Sequence, residues 1–142
     1  MSLAYFDTSA LLKLFMVEPG SATARQAWRV VPTVASGRLL YAEARSALVA
    51  ATRDPGRRFT SADHLRARAN LDQAWQRMVK VEATEAIVQA AGDLAESHAL
   101  RGYDAVHLAC AMHVSADAFV CADGSLIQAA NARGLGVIDT RT

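Results

Sequence analysis

Five short runs, "LAYF", "PTVAS", "VKVE", "AFVCA" and "GVID", recur along the chain with longer helical patterns between them. No other feature narrows the possible folds as much. Each run is brief and mostly apolar, too short for a buried helix. Alternation with helices makes such runs strands of a parallel sheet covered on both faces. The chain therefore reads as α/β, a three-layer α/β/α sandwich around a central parallel sheet.

The first strand, Leu3–Phe6, leads to a helix over Ser9–Met16 that stops at the Glu18-Pro19-Gly20 turn. A second helix covers Ser21–Val31 with Ser21 as its cap, and an alanine-rich helix covers Arg38–Thr52. Further helices span Ser61–Met78, Thr84–His98, Asp104–Val114 and Ser125–Arg133, the last stopped by Gly134. "RDPGRR" and "RGYD" read as polar breaks. Residues 1–142 make one domain, long enough to bury roughly two-thirds of the unfolded surface. With 52% hydrophobic and 20% charged residues, the composition is that of a folded chain. No apolar stretch approaches the ~20 residues of a membrane span. Asp7 and Lys13 interrupt the N-terminal apolar pattern, which argues against a signal peptide. Cys110 and Cys121 lie in apolar segments without a ligand pattern, so they read as buried thiols of a reducing, cytoplasmic compartment. A net charge of +1 excludes a strongly basic, indiscriminate nucleic-acid binder, but leaves room for a basic rim around an acidic pocket.

Four acids stand out. "YFDTSALL" and "VCADGSLI" share one plan: apolar strand, aspartate, hydroxyl residue, helix. Asp7 and Asp123 thus sit at carboxyl ends of strands, where open α/β sheets bind ligands, although helix capping also explains an acid there. Asp104 opens a helix that is apolar nearly all round, so its carboxylate either caps that helix or faces the interior or a crevice. Glu43 borders the arc of Leu40, Ala44, Ala47 and Ala51, with no basic residue three or four positions away. Read as mid-helix, it cannot be a cap, and it needs a partner from another element.

Together "YFDTSALLKLF", "YAEARSAL", "YDAVHLACA" and "FVCADGSLIQAA" resemble, in order and spacing, the PIN-domain ribonucleases, most nearly the VapC-type toxins of type II toxin–antitoxin systems. The resemblance spans nearly the whole chain. It implies a PIN-like fold with Asp7, Glu43, Asp104 and Asp123 meeting at one catalytic pocket that holds Mg²⁺ or Mn²⁺. It also implies RNA phosphodiester cleavage by a metal-activated water, a cognate VapB-type antitoxin and a homodimer. Cys121 departs from the pattern, standing where the family often has Thr or Ser. The chemistry agrees: clustered carboxylates repel, and hard oxygen ligands suit these cations. On that argument, metal-free Asp123→Asn or Glu43→Gln should be at least as stable as the parent near neutral pH.

Thr8 and Ser9 either cap the first helix or orient Asp7. His107, one turn from Asp104, reads as an imidazole satisfied by a carboxylate rather than as a metal ligand. Asp93, Asp117 and Asp139 read as surface or turn acids. Arg53, Arg57 and Arg58 crowd one turn, as a solvated face or as a phosphate-contacting rim for RNA. Leu11, Leu12, Leu14, Phe15 and Met16 supply core, and by the resemblance part of an antitoxin groove. Two other functions compete. A receiver-type signalling domain needs an acid pair near its start and a lysine after a late strand, and the only lysines are Lys13 and Lys80. A non-catalytic PIN-like binding scaffold would not need all four acids.

Overall fold

The computed structural model describes residues 1–142. Its central strand is β1 (Leu3–Phe6), which pairs in parallel with β2 (Thr33–Gly37) on one side. On its other side it pairs in parallel with the strand at Ala118–Cys121. Val79–Val81 forms β3, beside β2, so the late strand at Ala118–Cys121 is β4; Val137–Asp139, beside β4, is β5. The order is β3-β2-β1-β4-β5, all parallel. Every expected strand is present. Receiver domains use the order 2-1-3-4-5, so that competing reading is excluded.

Seven helices cover the sheet: α1 (Thr8–Leu12), α2 (Ser21–Val30), α3 (Leu40–Thr52), α4 (Ser61–Arg77), α5 (Glu85–His98), α6 (Gly102–His113) and α7 (Gly124–Ala132). Strand alternation divides the core in two. Ala4, Phe6, Val34 and Val120 pack against α1 to α4 through Leu11, Leu40, Leu48 and Leu71. Tyr5, Ala35, Phe119 and Cys121 face α5 to α7 through Leu94, Leu108 and Leu126. These faces are the outer layers of the three-layer sandwich. No helix is long and apolar enough to cross a membrane.

Several boundaries differ from the sequence reading, each for a local reason. The first helix ends at Leu12 instead of Met16, and the chain turns over residues 13–15. Lys13 is nearly buried there, its Nζ donating to the Pro19 carbonyl at 2.6 Å and lying 3.6 Å from Glu18. Gly20, at φ 89°, rather than Ser21, is the N-cap position of α2. A Cβ at residue 20 would stand 1.8 Å from the Thr140 carbonyl oxygen, so only glycine fits. Ser21 instead closes the turn, donating to the Met16 carbonyl and accepting from the Glu18 N–H. Helix α3 starts at Leu40 rather than Arg38, which moves Glu43 from mid-helix into the first turn. Helix α6 starts at Gly102, so Asp104 lies inside its first turn and Arg101 is the N-cap residue.

Candidate active site

The sheet order reverses between β1 and β4, which lead away in opposite directions across the sheet. A crevice opens at such a point, beyond the carboxyl ends of the strands. Asp7 follows β1 directly, and Asp123 follows β4 by two residues. Topology thus sets these two acids at the strand-order reversal, where open α/β sheets generally bind ligands.

Both aspartates are also caps, so the two readings of each hold together. Asp7 accepts the Ala10 N–H at 2.9 Å, and Asp123 accepts the Leu126 N–H at 2.9 Å. Ser9 Oγ lies 2.8 and 2.9 Å from the two Asp7 oxygens and accepts the Ala122 N–H at 3.0 Å. Cys121 joins the strand ends: its thiol donates to Asp7 Oδ2 at 3.2 Å, and its sulfur accepts the Asp123 N–H at 3.3 Å. The thiol thus fills the bridging role open to the Thr or Ser that the resemblance leads one to expect. Burial, then the Asp7 charge, pushes the Cys121 thiol far up, so it stays protonated. Burial also raises Asp7 above the usual carboxylate value, against opposing contributions from His107, Ala10, Ser9 and Cys121.

Glu43 finds its partner across the molecule. Its Oε1 accepts from Thr8 Oγ1 at 2.8 Å and lies 2.8 Å from His107 Nε2, while Oε2 makes no hydrogen bond. Burial would raise this carboxyl, but the hydrogen bond and charge of His107, with help from Thr8 and Arg101, hold it below the usual range. His107 was read as bonding a nearby carboxylate, and it does, though the acid is Glu43 rather than Asp104. Asp104, with 19% of its side chain exposed, pairs with Arg101 Nε at 3.1 Å.

The structure does not gather the four carboxylates into one cluster: no three His, Cys, Asp or Glu side chains are grouped closely enough to hold a metal ion. Unscreened carboxylates repel, and each has taken a local donor: Ser9 and Ala10, Thr8 and His107, Arg101, and Leu126 respectively. The donor chemistry nevertheless fits a hard divalent cation. All candidate ligands are carboxylate oxygens, the neighbouring thiol is protonated, and buried Asp7 has no lysine or arginine partner.

Of Arg53, Arg57 and Arg58, Arg57 lines a cavity together with Ser9, the residue bonded to Asp7. It pairs with Glu18 at 3.2 Å and Asp54 at 3.9 Å, and shares a cavity of about 370 Å³ with Ser9, Lys13 and Ala122. Arg53 and Arg58 are exposed and make no side-chain hydrogen bond or ion pair. Asp117 and Asp139 are structural: Asp117 accepts from Ser2 and Leu3, and Asp139 pairs with Arg141. Sequence reasoning missed Tyr5, whose hydroxyl is 2.7 Å from His107 Nδ1, and Arg101, read only as part of a break. The available signals were a lone hydroxyl in the apolar run "LAYF" and a guanidinium three residues before Asp104.

A PIN domain family model matches residues 4–132. Two curated proteins of Mycobacterium tuberculosis, ribonuclease VapC45 and ribonuclease VapC49, are each 41% identical over 139 residues, covering 96% of this chain and 95% of their own. Among solved structures, Mycobacterium tuberculosis VapC20, described as a sarcin–ricin loop cleaving toxin, superposes with a TM-score of 0.67 at 19% identity. That match covers 93% of this chain and 95% of VapC20. VapBC-1 from nontypeable Haemophilus influenzae gives a TM-score of 0.65 at 14% identity, covering 99% of each chain. At those identities the structural matches speak for the fold.

Proposed function

Because this chain belongs to the PIN-domain family, and is akin in sequence to VapC ribonucleases over nearly its full length, we propose that it is a metal-dependent endoribonuclease acting as the toxin of a toxin–antitoxin pair. The observation that carries the reading is the pairing of Asp7 and Asp123 across the reversal of strand order, joined through Cys121. Asp7, Glu43, Asp104 and Asp123 would hold Mg²⁺ or Mn²⁺. When bound, such a cation neutralises developing phosphoryl charge and makes a nucleophile available at neutral pH.

The remaining work falls to the chain itself. Ser9 and Cys121 hold the Asp7 carboxylate in place, and Thr8 with His107 fixes one oxygen of Glu43. The N-termini of α6 and α7, at Asp104 and Asp123, favour an approaching phosphate. Arg57, with exposed Arg53 and Arg58, supplies cations to flanking phosphates and so adds affinity without sequence choice.

A VapB-type antitoxin is the proposed partner. A groove of about 380 Å³ with Leu14, Phe15 and Trp28 in its lining is edged by Arg25, Arg29 and Arg77, and suits an amphipathic segment that carries acids. The buried, free thiols of Cys110 and Cys121 fit a reducing cytoplasm.

Asp104→Asn tests the assignment. It removes one charged ligand while keeping side-chain shape, so far-UV CD should be unchanged and RNA cleavage in Mg²⁺ should fall at least ~100-fold. Undiminished cleavage by a clean Asp104→Asn preparation would overturn it. Wild-type protein that binds RNA but never cleaves it with either cation would point to the binding scaffold instead.

A further inference from the structure

One buried chain of hydrogen bonds lies behind Glu43, outside the carboxylates themselves. Its first donor is the Gly37 N–H, 2.8 Å from the Tyr5 hydroxyl oxygen. A Cβ at residue 37 would stand 3.0 Å from that oxygen, so the missing side chain lets the backbone come close. Tyr5 is wholly buried, its ring stacked on Phe119 at 5.6 Å, and its hydroxyl lies 2.7 Å from His107 Nδ1. Because the hydroxyl oxygen already accepts from Gly37, its own proton is free to be given to Nδ1. Nδ1 then accepts, and the imidazole proton sits on Nε2. That atom is 2.8 Å from Glu43 Oε1 and 3.1 Å from Thr8 Oγ1.

We infer that His107 is a positioning residue, held in its Nε2–H tautomer by Tyr5, that commits Oε1 of Glu43 to the protein and leaves Oε2 to the cation. This rests on the metal-site reading above and adds how one ligand is aimed. The arrangement is a carboxylate–histidine pair in which the histidine's other nitrogen is fixed in turn, the kind of support that sets ligand orientation and affinity. In the opposite tautomer Nε2 would meet the Glu43 carboxylate as a second acceptor, and the Tyr5 proton would lose its partner.

The test uses the full-length protein, stripped of metal and titrated with Mn²⁺ alone, together with a long-range ¹H–¹⁵N spectrum of its imidazoles. The wild-type spectrum should show His107 with its proton on Nε2. Tyr5→Phe keeps the stacked ring and removes only the hydroxyl; it should mix the two tautomers and weaken Mn²⁺ binding about 10- to 100-fold. His107→Leu should weaken binding as much, whereas His107→Gln, which keeps an N–H donor within reach of Glu43, should restore most of it. A purely structural role for His107 predicts no rescue by Gln beyond that of melting temperature. Unchanged Mn²⁺ affinity in Tyr5→Phe and His107→Leu, or a wild-type proton on Nδ1, overturns the positioning role alone. A wild-type protein that binds no Mn²⁺ overturns the metal reading beneath it.

Discussion

Asp7 and Glu43 stand on opposite sides of the ordinary carboxylate range, and that contrast decides how each answers to pH. Burial raises Asp7 above its usual 3.8. Its contribution to stability is therefore fully present below the unfolded value and lost as pH rises through the folded one. Glu43 is held below its usual 4.5 by His107, Thr8 and Arg101, against the effect of burial. Its contribution is present above the unfolded value and lost as pH falls through the folded one. In EDTA, Asp7→Asn should therefore gain on wild type as pH rises from about 3 to about 7.5, while Glu43→Gln should melt lower than wild type at about 7.5 and converge with it toward about 3. Thermal melts at the two pH values check both signs; a Glu43→Gln variant more stable than wild type at the higher pH would sink the assignment of its partners. This revises the expectation drawn from repulsion alone, which treated Glu43 as a destabilising charge. The difference is His107, 64 residues away, and no local pattern reveals a partner at that distance. Asp7 and Asp123 were legible because topology and capping both leave marks in the adjacent residues. Tyr5 and Arg101 were not, since their roles depend on what packs against them.

Helices and strands were legible where periodicity and capping agree. Helix α4 shows a signal that was present in the sequence and passed over: "TSAD", in which the Thr60 side chain accepts the Asp63 N–H at 3.1 Å and Asp63 returns a bond to the Thr60 N–H at 2.9 Å. This reciprocal cap fixes the start of α4. Thr60→Ala should cost about 1 kcal/mol, read as a lower midpoint in denaturant with an unchanged slope. A midpoint within error of wild type would mean that the cap is idle. Helix α1 was overextended for a different reason. Leu14, Phe15 and Met16 continue the apolar pattern past Leu12, yet they pack from a turn that Lys13 anchors to Pro19. Apolarity alone does not separate a helical turn from a packed loop. The early start of α6 follows from Arg101 taking the cap position without a side-chain cap bond, a start with no sequence signature.

For the molecule as a whole, the sandwich and its parallel sheet were legible from alternation, but strand order was not, because it depends on pairs far apart along the chain. That order has a consequence for how the chain reaches its fold. Phe6 and Ser36, which link β1 to β2, are 30 residues apart, whereas Asp7 and Cys121, which link β1 to β4, are 114 apart. Closing the longer loop costs roughly 1 kcal/mol more in chain entropy. On a ribosome the gap is one of time: β1 emerges first and waits for nearly the entire chain before its second neighbour exists, one edge bare throughout. Pulse-labelled hydrogen exchange during refolding should therefore protect the β1–β2 amides before the β1–β4 amides, and simultaneous protection would contradict this order. Asp7 and Asp123 follow the two strands of that β1–β4 seam. The residues that would cut RNA are thus brought together only when β4 has docked, so a nascent chain that ends before β4 carries Asp7, Glu43 and Asp104 but neither Asp123 nor the site.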